Sequence, residues 1–186
     1  MTLIKYMQLC VCTFALILLL AVDSNSHDKK FADISEKDKS DFINHIHDCY
    51  DWYYKFESEN SEFVLPVELV VAVAIHESNY GTSRFAVEGY NYYGIRTSSK
   101  DPDEYMVPTQ APNVKVAKYL HNCNSVWAFV QLITYSSHYS DAVDMIKENP
   151  DSINYKKVLD LINKKYSTSE NWPGRVAHII SELDLR

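Results

Sequence analysis

Seven consecutive apolar residues, Leu69-Val70-Val71-Ala72-Val73-Ala74-Ile75, stand between Pro66 and the pair Glu77-Ser78. A helix on the surface of a core needs one apolar stripe; a segment apolar on every side offers water no face and has to run through the centre of the fold. Pro66 falls where a first helical turn tolerates proline, because that turn makes no internal use of the missing N–H. The helix is expected to end near Asn79, with Gly81 as its stop. Any fold open to this chain must therefore wrap other elements around the segment, and Glu77 rides at its end.

The flanking sequence supplies those elements. Phe42, Ile43, Ile46, Cys49, Tyr50, Tyr53 and Tyr54 recur at three- and four-residue steps, which predicts an amphipathic helix from about Lys39 to Glu57, broken at Ser58 to Ser61. Three of the four glycines, Gly81, Gly89 and Gly94, crowd behind the apolar segment and predict tight turns around one place. Between Arg96 and Tyr119 the helical period is lost. Glu104 to Pro108 and Val114 to Tyr119 read as two strands about the turn Gln110-Ala111-Pro112-Asn113. A helix capped by Asn124 or Ser125 follows, then helices around Asp141–Glu148, Tyr155–Lys165 and Trp172–Leu185. The fold class is α+β, predominantly α-helical, with one small β-hairpin.

The N-terminus has a different character. Lys5 precedes an apolar run from Leu9 to Val22, and Asp23-Ser24-Asn25-Ser26 follows it, the layout of a secretory signal peptide. The run is shorter than the roughly 20 residues of a spanning helix, so removal is favoured over anchoring, and membrane contact is expected only through this segment if it is uncleaved. The expected division is residues 1–26 as signal peptide or N-terminal anchor, 27–38 as a flexible lead, and 39–186 as one domain. A net charge of −7 argues against nucleic acid as a partner. Beyond the signal, Cys49 and Cys123 remain. In an oxidising compartment they read either as a disulfide or as two buried thiols.

A carboxylate at the end of an all-apolar helix meets desolvation and the negative pole of the helix, and both disfavour its charge. A carboxyl group kept protonated in this way is what a glycosidase uses on a leaving glycosidic oxygen. A hydrogen-bonded structural glutamate has the same position. The surrounding string decides between the two readings. His76-Glu77-Ser78-Asn79-Tyr80-Gly81-Thr82-Ser83-Arg84-Phe85, with Asn91-Tyr92-Tyr93-Gly94-Ile95 after a short gap, resembles the core motif of the bacterial glucosaminidase family, in its Bax-like and flagellar cell-wall hydrolase branches. More weakly, Val114 to Tyr119, Phe129 to Thr134 with Tyr139, and Lys165-Tyr166-Ser167-Thr168 near Trp172 resemble later parts of the same domain.

The resemblance implies a lysozyme-like fold and cleavage, without metal or cofactor, of the β-1,4 bond after N-acetylglucosamine in peptidoglycan glycan strands, and the signal-peptide layout implies export to the periplasm, cell envelope or medium. It implies Glu77 as general acid, with Ser78, Asn91, Tyr92 and Tyr93 at the substrate and Tyr166 reaching the reacting sugar. Tyr92 and Tyr93 read equally as core residues and Asn91 as a turn former; Arg84 and Phe85 are taken as structural. For the second carboxylate the candidate is Glu104, in competition with Asp101 and Asp103; failing these, water is activated through the substrate's acetamido group or by Glu77 alone. A lytic transglycosylase or muramidase on the same fold and a non-catalytic peptidoglycan-binding protein are the alternative functions. Metal chemistry is disfavoured: Tyr80 stands where a zinc-protease helix would need its second histidine, and His45 and His47, two apart, face different ways. A cysteine peptidase built on Cys123 with His121 lacks an activating signature around the cysteine.

Overall fold

The computed structural model describes residues 34–56 and 63–183. The signal-peptide segment, most of the lead and the break at Ser58 to Ser61 lie outside these residues. Among the described residues no helix is long and apolar enough to cross a membrane.

Helix α1 (Glu36–Phe56) buries Phe42, Ile46, Cys49, Tyr50 and Tyr53, the stripe its periodicity predicts. It begins a turn before the expected start. The extra turn carries the exposed pair Lys37–Asp41 at i,i+4 spacing. Two of its tyrosines tether the approach to the next helix: the Tyr50 hydroxyl donates to the Leu65 carbonyl (2.6 Å) and the Leu65 N–H donates to the Tyr54 hydroxyl (2.9 Å).

Helix α2 (Val67–Ser78) is the central rod, and every residue from Leu69 to Ile75 is buried. It ends where expected but by a different device. Asn79, and not Gly81, is the left-handed C-cap, its N–H bonded to the Ile75 carbonyl (2.9 Å), and Tyr80 and Gly81 continue in positive φ. Gly81 is required by more than its φ of 76°, because a Cβ there would stand 2.8 Å from the Phe42 ring. The glycine-rich stretch then holds a six-residue helix, α3 (Arg84–Gly89), capped by the Ser83 hydroxyl. Six residues are too few to display a period, which is why the sequence shows turns alone there.

The predicted hairpin forms with much shorter strands, β1 (Tyr105–Met106) and β2 (Val116–Ala117), antiparallel with Tyr105 opposite Ala117. Pairing stops early because Arg84 takes the Val107 carbonyl (2.8 Å) and Pro108 has no N–H to give. On the other side Arg96 bridges to Val116.

Helix α4 (Asn122–Tyr135) starts earlier than predicted, with His121 at the cap position. Asn124 and Ser125 serve the first turn from inside it: the His121 N–H donates to Asn124 Oδ1 (3.2 Å), and the Ser125 hydroxyl donates to the Asn122 carbonyl (2.8 Å). Helices α5 (Ser140–Glu148), α6 (Tyr155–Tyr166) and α7 (Trp172–Glu182) complete the domain, with α7 laid against both α2 and α6. Asn154 caps α6 by accepting from the Lys157 N–H (3.1 Å), and Pro173 opens α7.

Cys49 of α1 and Cys123 in the first turn of α4 form a disulfide, with Cα atoms 5.1 Å apart across 74 positions of sequence. This resolves the two readings of the cysteines in favour of the bond. A closed loop of this length restricts the unfolded chain strongly. Reduction, or Cys49→Ser with Cys123→Ser, is expected to lower the free energy of unfolding by about 2–4 kcal/mol, measured by urea denaturation with and without reductant; superimposable curves would contradict the bond.

Candidate active site

Glu77 occupies the last turn of α2, half-buried, and its surroundings come from three separate parts of the chain. Immediately after it, the backbone reverses through Asn79, Tyr80 and Gly81. Left-handed conformations at two non-glycine residues are unfavourable and persist only where neighbours over-determine them. Here they do. The Ser78 hydroxyl donates to the Ala74 carbonyl (2.6 Å) and accepts from the Gly81 N–H (2.8 Å), and Ser83 N–H reaches the Ser78 carbonyl (2.9 Å). Asn79 Nδ2 donates to the Thr82 hydroxyl (2.8 Å), which donates to the Asn79 carbonyl (2.7 Å).

The second contribution is the loop from Asn91 to Arg96. Asn91 is buried, and its amide satisfies four backbone groups: Nδ2 donates to the carbonyls of Ile95 (3.0 Å) and Ala117 (2.9 Å), while Oδ1 accepts from the N–H groups of Tyr93 and Ile95 (both 3.2 Å). This folds the loop and ties it to β2. It also brings Gly94, at a φ of 64°, against the acid: a Cβ at that position would lie 3.8 Å from Glu77 Oε2.

The third contribution is the end of α6 and the start of α7. Trp172 is buried, and its indole Nε1 donates to Glu77 Oε1 (2.7 Å). The Tyr166 ring packs at 5.3 Å from Trp172 and edge-on to Phe129, and its hydroxyl donates to the Tyr93 carbonyl (2.6 Å). Burial first, and then the nearby Glu77 charge, push the Tyr166 phenol well above its ordinary pKa. Tyr166 is therefore a neutral donor throughout the range in which carboxyl groups titrate.

Together these parts enclose a cavity of about 400 Å³ lined by Glu77, Tyr93, Gly94, Ile95, Arg96, Leu132, Tyr139, Lys165, Tyr166, Ser167 and Thr168. Of the residues singled out in the sequence, Glu77, Tyr93 and Tyr166 meet at this cavity. Tyr93 is otherwise a core residue, stacked on Phe129 at 4.3 Å with its hydroxyl on the Val70 carbonyl (3.3 Å). Ser78, Asn91 and Tyr92 do not line it. Ser78 and Asn91 use their polar atoms on the backbone as described, and Tyr92 packs edge-on against Phe42 at 5.1 Å with its hydroxyl accepting from Asn122 Nδ2 (2.9 Å).

Glu104 is exposed in a separate hollow with Thr97, Asp103, Ala117, Lys118, Tyr119 and Leu120, where it accepts from the Ser99 hydroxyl (2.5 Å). Asp101 caps the short 3₁₀ turn Pro102–Glu104 through the Asp103 N–H (2.9 Å). Among the described residues that line the Glu77 cavity, Glu77 is the one carboxylate. Trp172, Arg96 and Lys165 join the site without being marked for it in the sequence. Trp172 lies 95 positions from Glu77, and no local pattern encodes that contact.

Among the described residues, His45, Cys49 and Cys123 bring potential metal-binding atoms within 4.8 Å of one another, but the disulfide joins the two sulfurs.

A half-buried glutamate at an aromatic-walled cavity suits a glycoside hydrolase, and the family match places the chain in that class. It belongs to the glucosaminidase family (mannosyl-glycoprotein endo-beta-N-acetylglucosaminidase), which matches residues 53–185. Its fold is that of the catalytic domain of the autolysin Auto from Listeria monocytogenes (TM-score 0.56, 21% identity, covering 88% of this chain and 94% of that one). It is similar also to the glycoside hydrolase domain of FlgJ from Salmonella typhimurium (TM-score 0.54, 20% identity, 78% and 88% covered). A third similar structure is a type VI secretion system effector–immunity complex from Pseudomonas protegens (TM-score 0.55, 19% identity, 84% and 96% covered). At these identities the likeness establishes the shared lysozyme-like fold. No curated protein matches the chain in sequence.

The Tyr166 hydroxyl joins the C-terminal helices to the Asn91–Arg96 loop by one short bond to a buried residue. Tyr166→Phe keeps the ring and removes that donor, and is expected to lower the free energy of unfolding by about 1–2 kcal/mol in urea titration. An unchanged midpoint and slope would deny the bond its structural part.

Proposed function

We propose that the chain is an exported peptidoglycan hydrolase that cleaves the β-1,4 bond after N-acetylglucosamine, with Glu77 as the general acid. The observation that carries this reading is the setting of Glu77: one carboxyl group, fixed by the Trp172 indole through Oε1, at a cavity walled by Tyr93, Tyr139 and Tyr166. The glycan strand would lie with its scissile oxygen at Glu77. Fixing the carboxyl group in place before substrate arrives saves the orientational cost that proton transfer otherwise carries. Aromatic walls suit the apolar faces of sugar rings. Support for the substrate comes from the family membership, and from cell-wall enzymes such as an autolysin among the proteins of like fold. Support for export comes from the N-terminal apolar run of the sequence and from the Cys49–Cys123 disulfide, which belongs to an oxidising compartment.

With Glu77 the one carboxylate among the described lining residues, the second step falls to the substrate's acetamido group or to Glu77 acting again on water. Glu104 lines a separate hollow and would have to leave it to take part.

Glu77→Gln is expected to reduce release of soluble products from purified sacculi by roughly 10³-fold or more while leaving the unfolding curve in place, since it removes the acidic proton at almost no change in volume. New reducing N-acetylglucosamine ends in the wild-type digest support the assigned bond, whereas anhydromuramic ends would overturn it. Full turnover by the Glu77→Gln variant would sink the mechanism.

Glu104→Gln is expected to retain at least about a third of wild-type turnover, a loss worth under 1 kcal/mol of barrier. A fall of 100-fold would instead mean that the hairpin carries Glu104 to the substrate, and a paired-carboxylate mechanism would replace the one above.

A further inference from the structure

Two cations share the cavity with Glu77, although acids outnumber bases over the whole chain and leave a net charge of −7. Arg96 follows Gly94 and Ile95 and is held in register by its bridge to Val116. Lys165 stands in the last turn of α6, beside Tyr166. Both are exposed, and among the described residues neither takes part in an ion pair. Three other cations pair with acids at helical spacing, in Lys37–Asp41, Arg84–Glu88 and Lys156–Asp160, so what sets Arg96 and Lys165 apart is their place at the cavity. A lone solvated lysine or arginine would need no explanation. Two of them, delivered from different elements to the cavity that holds the acid, make a positive patch where the substrate must pass.

A glycan of neutral N-acetylated sugars offers such a patch hydroxyl and amide oxygens but no opposite charge. Wall glycan offers that charge: every second sugar carries a lactyl ether extended by a peptide with free carboxylates. We infer that Arg96 and Lys165 form a carboxylate subsite for this peptide substituent, so that the protein prefers peptide-bearing strands to bare ones. This rests on the reading of the Glu77 cavity as a site for wall glycan. The guanidinium of Arg96 offers the planar fork that a carboxylate accepts in two parallel bonds, and Lys165 adds a point charge from the α6 side. Neither cation is asked to move a proton.

The test compares kcat/KM on soluble peptide-bearing strands with kcat/KM on the same strands after an amidase has stripped the peptides. Wild type is expected to favour the peptide-bearing substrate by about 10-fold or more, and Arg96→Gln with Lys165→Gln to bring that ratio to within about 2-fold of unity, as loss of two charge-assisted contacts requires. Raising ionic strength should lower the wild-type ratio in the same direction. Lys156→Gln, on the same helix as Lys165 but outside the cavity, should keep the wild-type ratio. A double variant that loses activity equally on both substrates would overturn the subsite, because the cations would then be acting on Glu77 or on the sugar backbone. A wild-type ratio near unity would overturn it as well. Wild-type protein that cleaves neither strand would refute the hydrolase reading, and the subsite with it, a result distinct from the other two.

Discussion

Burial of α2 on every side is the constraint from which the other features follow. A rod with seven consecutive buried apolar residues cannot lie on a surface, so α4 and α7 have to pack around it. The same burial leaves the rod's end as the first place where a polar side chain can meet solvent. Glu77 stands there, with Ile75 buried before it and Ser78 buried after it. The acid is thus placed by core packing, and the loops need only build a cavity around it.

That construction explains why the polar residues next to the acid in sequence are architectural. Ser78 closes a helix end whose following residues, Asn79 and Tyr80, hold left-handed backbone; Asn91 satisfies four backbone groups to shape the loop that delivers Gly94. The run from Glu77 to Ile95 encodes a geometry more than a set of substrate contacts. Gly94 shows how close the loop comes: a Cβ there would stand 3.8 Å from Glu77 Oε2.

Much of this was legible in the sequence, for reasons that differ by element. Long helices declare themselves through period, so α1, α2 and α4 to α7 appear in order, and the position of Glu77 followed from α2 alone. The hairpin lies where the sequence predicts it but is shorter, because the competitor for the Val107 carbonyl is Arg84, 23 positions away. Helix α3 is too short for a period. The cysteine pair stayed open because spacing cannot say that α1 and the start of α4 lie side by side. The same limit hid Trp172: its bond to Glu77 is a product of α7 packing on α2, and a tryptophan opening an amphipathic helix reads as core until the partner is seen.

The long-range bonds also say how the site is held as a unit. Glu77 belongs to α2, Tyr93 to the loop after α3, and Tyr166 and Trp172 to the junction of α6 and α7, yet two bonds close the circuit among them, Tyr166 to the Tyr93 carbonyl and Trp172 to Glu77 Oε1. Each bond comes from the C-terminal side. Docking of α7 therefore brings the Trp172 indole to the carboxyl group, and the Tyr166 bond braces the loop at the cavity wall. A chain without α6 and α7 would lose both bonds and expose the face of the rod that α7 covers. Under the proposed chemistry proton donation needs a positioned carboxyl group, so that function would belong to the completed domain although Glu77 is carried by a single helix.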